Sequence, residues 1–205
     1  MIDEVKLLKK EISKTINQRL KEFSSFSKKD PKEWFSELCF CILTANSKAL
    51  TAIAIQKELR AEGFMYCTRA QLSNAIKRNK HRFHNNKAKF ILAARKYSDI
   101  RDILRGIKGS QAKREWIVQN IKGVGYKEAS HFLRNTGHFD LAILDRHILN
   151  LLVENNYLDE KPKTLSRKLY LEIEQILLGI ANSLNMSQAE LDLYLWYLKT
   201  NAVLK

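Results

Sequence analysis

Apolar side chains recur along this chain at three- and four-residue spacing, and two-residue alternation is rare, so the pattern predicts helices throughout. Residues 2–24 carry an amphipathic helical pattern. Asp30-Pro31-Lys32-Glu33 reads as the next helix start, with Asp as N-cap, Pro in the first turn and Glu placed to close a capping box. That helix should run through Trp34, Leu38, Cys41 and Ile42 to about Thr44. Another is expected from about Ser47 to Arg60, with Gly63 ending the unit. Thr68 and Gln71 form a second capping box before a short helix to about Lys77. Residues 84–97, 111–121 and about 125–135 have helical spacing. Asp145 should cap a helix from Arg146 to Asn155, and 165–184 should form another. Ser187 and Glu190 make a third capping box, opening a last helix to about Lys199 and a short tail. No repeat or low-complexity linker interrupts this series, and the expected fold class is all-α.

One stretch departs from plain helix patterning. In Ile121-Lys122-Gly123-Val124-Gly125, two glycines stand one residue apart between amphipathic segments. Gly123, Val124 and Gly125 thus predict a tight turn whose glycines take positive φ and let the backbone approach a ligand closely. The helix that follows at once would aim its free N–H groups at the same place, an arrangement that favours phosphate. Lys127 stands two residues past the turn, and the apolar run 141–144 delivers Asp145 to the next helix start.

Charge sharpens this picture. The 205 residues carry a formal net charge of +14, which points to an anionic polymer as partner. Residues 63–98 contain no Asp or Glu but nine Lys or Arg, among them Arg82, Lys87 and Lys89, interleaved with His81, Phe83 and His84. A solvated basic face would have this composition. So would a surface that contacts phosphates and stacks bases, and the neighbouring glycine turn favours that reading. Cys39 and Cys41 lie in an apolar run and are expected as buried thiols. No zinc spacing appears, and metal sites among the five histidines are not expected. The first residues lack the uncharged core of a signal peptide and no apolar run approaches membrane length, so a cytoplasmic protein without a membrane partner is expected.

Four stretches together, KGVGYKEASHFLRN, AILDRHIL, ELCFCILTAN and LDLYLWYLKT, resemble the helix-hairpin-helix DNA glycosylases. More narrowly they resemble the small 8-oxoguanine DNA glycosylase/AP lyases of archaea and some thermophilic bacteria, over nearly the whole chain. The resemblance implies one glycosylase unit over 1–205, built of two closely packed helical lobes with the active-site cleft between them. The hairpin motif would lie near 111–135. It implies a monomer that acts on double-stranded DNA containing oxidised guanine, associates with the nucleoid through DNA, and needs no cofactor. Three cysteines cannot hold the four-thiolate cluster that some relatives of this fold carry.

The site residues follow from the resemblance position by position. Lys127 matches the nucleophile that attacks the sugar C1′. An ordinary lysine with a pKa of about 10.4 is protonated near neutral pH, so the site must favour the free amine. Asp145 matches the carboxylate that stabilises the cationic sugar, and capping is compatible with that role because it holds the rotamer. Phe83 and Trp196 are implied to lie against the flipped base or the stack it left. By spacing rather than resemblance, Asp192, one turn before Trp196, is either a polar partner or a surface residue. Asn46 matches a residue that enters the gap opposite the flipped base. Lys205 is implied to help tell 8-oxoguanine from guanine, its terminal carboxylate accepting from purine N–H donors. Two alternatives stay open at this point: a non-catalytic hairpin DNA-binding module, and a lyase of the same fold acting on another oxidised base.

Overall fold

The computed structural model describes all 205 residues and contains eleven α-helices and no strand. They are α1 (Ile2–Ser25), α2 (Pro31–Thr44), α3 (Ala49–Tyr66), α4 (Arg69–Arg78), α5 (His84–Ala94), α6 (Ile100–Arg105), α7 (Ser110–Asn120), α8 (Tyr126–Asn135), α9 (Arg146–Glu154), α10 (Arg167–Ser183) and α11 (Gln188–Thr200). Short 3₁₀ turns follow α1 and α5. The all-α expectation holds. The chain divides into two compact units, Lys28–Phe132 and Met1–Ser27 with Leu133–Lys205.

The Lys28–Phe132 unit is built around α2. Every residue of α2 from Trp34 to Thr44 is buried. A helix apolar on all sides can only be stable at the centre of a unit. It packs against α3, α5 and α6, while α4 packs on α3 and α5. Its three polar members are satisfied: Gln56 Nε2 donates to the Ser36 carbonyl, Ser36 Oγ and Glu37 Oε2, each at 3.2 Å, and Thr44 Oγ1 donates to the Cys41 carbonyl at 2.8 Å. Two aromatic residues of α8 reach this core, with Phe132 edge-on to Trp34 and His131 edge-on to Phe40.

The second unit is organised by α11, which packs against α1, α9 and α10. The polar faces of α1 show why it needs this: only Val5, Ile16 and Phe23 are fully buried along its length. Arg134 and Asp192 form an ion pair inside this unit, and Arg134 also donates to Asn135 Oδ1 and lies over the Phe23 ring.

Local differences from the sequence reading have physical causes. The α3 helix does not stop at Gly63. It kinks at Arg60, which takes φ +53°, and continues to Tyr66 because the last turns bury Ala61 and Phe64. A Cβ at Gly63 would stand 2.9 Å from Leu59 Cβ, so glycine serves close packing there rather than helix termination. The α6 helix was not expected; its signal was Ile100 and Leu104 at one-turn spacing, both buried. Thr68 and Gln71 close their capping box, but the Asp30 carboxylate makes no cap bond, and Glu33 N–H reaches the Asp30 carbonyl instead. Ser187 accepts from Glu190 N–H, one half of the capping box expected there, and Ser166 caps α10 in the same way.

Removing the Asp192 carboxylate leaves the Arg134 guanidinium, only 4% exposed, without its ionic partner. Asp192→Ala should therefore lower stability by about 3–5 kcal/mol. Denaturant unfolding checks this; a variant of native stability would free Asp192 from the structural role.

Candidate active site

The glycine hairpin forms as a turn between α7 and α8, with Val124 N–H on the Ile121 carbonyl at 3.2 Å. Gly123 takes φ +85°, which side chains rarely adopt. A Cβ there would meet Phe90 Cδ2 of α5 at 2.4 Å, so the hairpin backbone lies directly against an aromatic ring. Only one of the two glycines behaves as expected. Gly125 is not in the positive-φ region, and its N–H donates to Glu128 Oε2 at 3.2 Å. The helix start is thus partly satisfied by its own carboxylate, in the manner of an N3 capping residue.

The two hairpin helices are clamped from within. Arg114, wholly buried, donates to Ser130 Oγ at 3.2 Å and stacks over the Tyr126 ring. Tyr126 Oη donates to Glu115 at 2.6 Å. Between these contacts stands Lys127 in the first turn of α8. Its side chain is 25% exposed and its Nζ lies 3.2 Å from Glu128 Oε1, which is itself 14% exposed.

Asp145 belongs to the other unit and is held with equal care. The run 141–144 is buried yet has no regular secondary structure, so its backbone groups need side-chain partners. Glu174 accepts from Ala142 N–H at 2.8 Å, Tyr170 Oη donates to the Ala142 carbonyl at 2.8 Å, and Leu144 N–H reaches Tyr170 Oη at 3.3 Å. Gln188 Nε2 and Ala189 N–H secure the carbonyls of Asp140 and Phe139. The sequence reading named none of these anchors. Their signal, polar residues inside apolar helical patterns, is present but ambiguous without the fold.

Asp145 then caps α9 as expected, its Oδ1 accepting from His147 N–H at 2.8 Å and Ile148 N–H at 2.9 Å. Both cap bonds fall on Oδ1, so Oδ2 is not engaged by the cap. Trp196 packs edge-on against His147 of this capped turn, with ring centroids 5.4 Å apart. Its Nε1 is buried with no hydrogen-bond partner. Trp196 is therefore brought to the Asp145 turn, whereas Asp192 is turned inward onto Arg134. Residues 202–205, Lys205 included, are half-buried rather than splayed into solvent.

The basic stretch 63–98 sorts into inward and outward residues. Arg82 and Lys89 are exposed, and Phe83 is 37% exposed with the Arg82 guanidinium over its ring. Asn46 is exposed at φ +58°, a conformation asparagine tolerates. Lys87 contradicts the surface role expected for it. It is 5% exposed, and its Nζ donates to the Ile42 carbonyl at 2.6 Å. Burial pulls its pKa down to about 8; Glu128 pulls the other way and Lys127 adds to the depression. Arg95 is likewise spent on structure, donating to the Phe64 and Cys67 carbonyls. Cys39 and Cys41 are buried, as expected, and burial pushes the Cys39 thiol well up.

The chain is similar to known proteins over nearly its whole length. A family model described as 8-oxoguanine DNA glycosylase matches residues 16–186. The 8-oxoguanine DNA glycosylase/AP lyase of Methanocaldococcus jannaschii is 53% identical over 195 residues, 95% of this chain and 94% of that protein. The crystal structure of the M. jannaschii 8-oxoguanine glycosylase/lyase in complex with a 15mer DNA containing 8-oxoguanine superposes with a TM-score of 0.98, at 52% identity, covering 100% of this chain and 99% of that one. The 8-oxoguanine DNA glycosylase of Thermotoga maritima, 38% identical, superposes with a TM-score of 0.94 over 100% of this chain and 98% of that one.

The hairpin geometry makes the two glycines unequal. Gly123→Ala meets both a disfavoured φ and the Phe90 ring, and should lower stability by about 2 kcal/mol or more. Gly125→Ala, whose Cβ would lie 3.3 Å from the Glu128 carboxylate, should lose clearly less. Paired unfolding midpoints decide it; equal losses would contradict the Phe90 contact as the cause.

Proposed function

This chain belongs to the 8-oxoguanine DNA glycosylase family, and from that membership we propose that it is a bifunctional base-excision repair enzyme that removes 8-oxoguanine from double-stranded DNA and cuts the strand at the resulting site. The observation that carries the reading is Lys127. It stands in the first turn of a hairpin helix that buried contacts hold rigid, and it is only partly exposed.

In the proposed reaction the damaged nucleotide is turned out of the stack. The Lys127 amine attacks C1′ while the bond from C1′ to the base breaks, and the base leaves with a proton. The Asp145 carboxylate, its rotamer fixed by the α9 cap, stabilises the cationic sugar. The amine loses its remaining proton as the sugar ring opens to a Schiff base. Loss of a proton from C2′ then expels the 3′ phosphate by β-elimination, and water releases the product and restores the amine. Trp196 and Phe83 stack on the base or its vacated neighbours, Asn46 enters the gap, and Arg82 and Lys89 contact phosphates. The chain needs no metal or redox group for these steps. No helix is long and apolar enough to cross a membrane, and we assign no membrane partner.

Borohydride reduction tests substrate and nucleophile together. The enzyme should form a covalent adduct with a duplex carrying 8-oxoguanine and with one carrying an abasic site. Lys127→Gln should form neither while still binding the lesion, because phosphate contacts do not depend on the amine. An adduct in that variant places the nucleophile elsewhere, and a preference for an oxidised pyrimidine duplex reassigns the substrate.

Lys205 is proposed to read the base. Its removal should reduce cleavage at 8-oxoguanine far more than cleavage at an abasic site, which offers no base to recognise. Equal loss on the two substrates, measured side by side in single turnover, takes Lys205 out of the recognition set.

A further inference from the structure

Three charged groups of the Lys28–Phe132 unit are linked around the hairpin. Glu128 takes Gly125 N–H on Oε2, 3.2 Å away, and faces the Lys127 amine with Oε1 at 3.2 Å. Lys87 lies on α5, the helix whose Phe90 ring fills the space beside Gly123, and is nearly fully buried, with its Nζ fastened to the Ile42 carbonyl at 2.6 Å. Lys87 is coupled electrostatically to both, attracted by Glu128 and repelled by Lys127. A buried lysine with no carboxylate bonded directly to it is uncommon, since an ammonium loses much hydration on burial. Its place beside a nucleophilic amine asks for a reason beyond packing.

We propose that Glu128 and Lys87 are positioning residues for the Lys127 amine, Glu128 holding it in a resting ion pair against the hairpin and Lys87 opposing its protonation from inside the unit. The inference rests on Lys127 being the nucleophile. The two residues act with opposite sign. A carboxylate beside an amine favours the ammonium, and a second ammonium disfavours it. Glu128 thus fixes where the amine is, and Lys87 offsets the charge that this placement would otherwise impose. The offset exists only while Lys87 is charged, below its pKa of about 8, which is where a repair enzyme near neutral pH works.

Lys89 on α5 and Lys122 in the hairpin are exposed, and other titratable groups on the packed elements have partners of their own. His81, in the turn before α5, bonds the Leu43 carbonyl at 3.0 Å, and burial holds its pKa below the usual value. His84 pairs with Ser73, Glu115 takes the Tyr126 hydroxyl, Arg114 bonds Ser130, and Glu37 on α2 accepts from Gln56.

The test is the pH dependence of Schiff-base trapping on an abasic duplex. There the amine condenses with the C1′ aldehyde, water leaves, and cyanoborohydride reduces the imine to a stable secondary amine. Lys127→Gln comes first: an adduct in that variant defeats the assignment of the nucleophile, and with it this inference. With that control clean, Glu128→Gln should move the midpoint of the acid limb to lower pH, and Lys87→Met should move it to higher pH. Each shift should be roughly half to one pH unit, or about three- to tenfold in trapping rate on the limb. The Lys87→Met difference should vanish above about pH 8, and Lys87→Arg, which keeps the charge, should restore the native midpoint. Unmoved midpoints, or shifts of the same sign, reduce both residues to structural roles. Should Lys87→Met fail to fold, Lys87→Gln, whose amide can still donate to the Ile42 carbonyl without a charge, takes its place and should move the midpoint the same way.

Discussion

The anchoring of α5 on the end of α2 is the contact on which the glycine hairpin depends. The last carbonyls of α2 have no partners within the helix, a general property of helix ends. Lys87 and His81 supply donors to two of them, at Ile42 and Leu43. That fixes α5, α5 fixes the Phe90 ring, and the ring fills the space beside Gly123 where any Cβ would clash. The hairpin therefore has one conformation, and α8 leaves it in a defined direction with Lys127 in its first turn. A polar bond inside the unit and a missing side chain at its surface are links in the same series.

In the other unit, the turn that carries Asp145 is held by a different device. Asp145 follows a buried stretch without regular structure, and such a stretch persists only if its peptide groups find partners. Tyr170, Glu174 and Gln188 supply them from α10 and α11. The carboxylate then enters the α9 cap with its rotamer set by two backbone donors. The role proposed for this carboxylate needs a charge that does not reorganise as a transition state forms. The cap holds one of its oxygens in place and leaves the other out.

The excess of positive charge is not a uniform coat. Within the acid-free stretch, Lys87 and Arg95 are turned inward onto backbone carbonyls, and Arg78 pairs with Glu58, while Arg82 and Lys89 face solvent. Long cationic side chains carry enough apolar stem to be buried when a carbonyl awaits the head. A count of lysines and arginines therefore describes the attraction of the chain for a polyanion but not which of them meet it.

Sequence alone determined the all-α class, most helix limits, the hairpin, and the residues matching the family's nucleophile and carboxylate. These are legible because they depend on neighbours close in the chain: helical spacing, capping at Thr68 and Ser187, glycines in a turn, a short motif. It missed where α3 ends and the existence of α6, because both depend on what Phe64, Ile100 and Leu104 bury against. It could not show that Lys87 and Asp192 are buried. Only tertiary structure decided that, since the side chain of a lysine or aspartate is the same in water or in a core. What differs is whether a carbonyl or a guanidinium from a distant part of the chain is there to meet it, as Ile42 meets Lys87 and Arg134 meets Asp192.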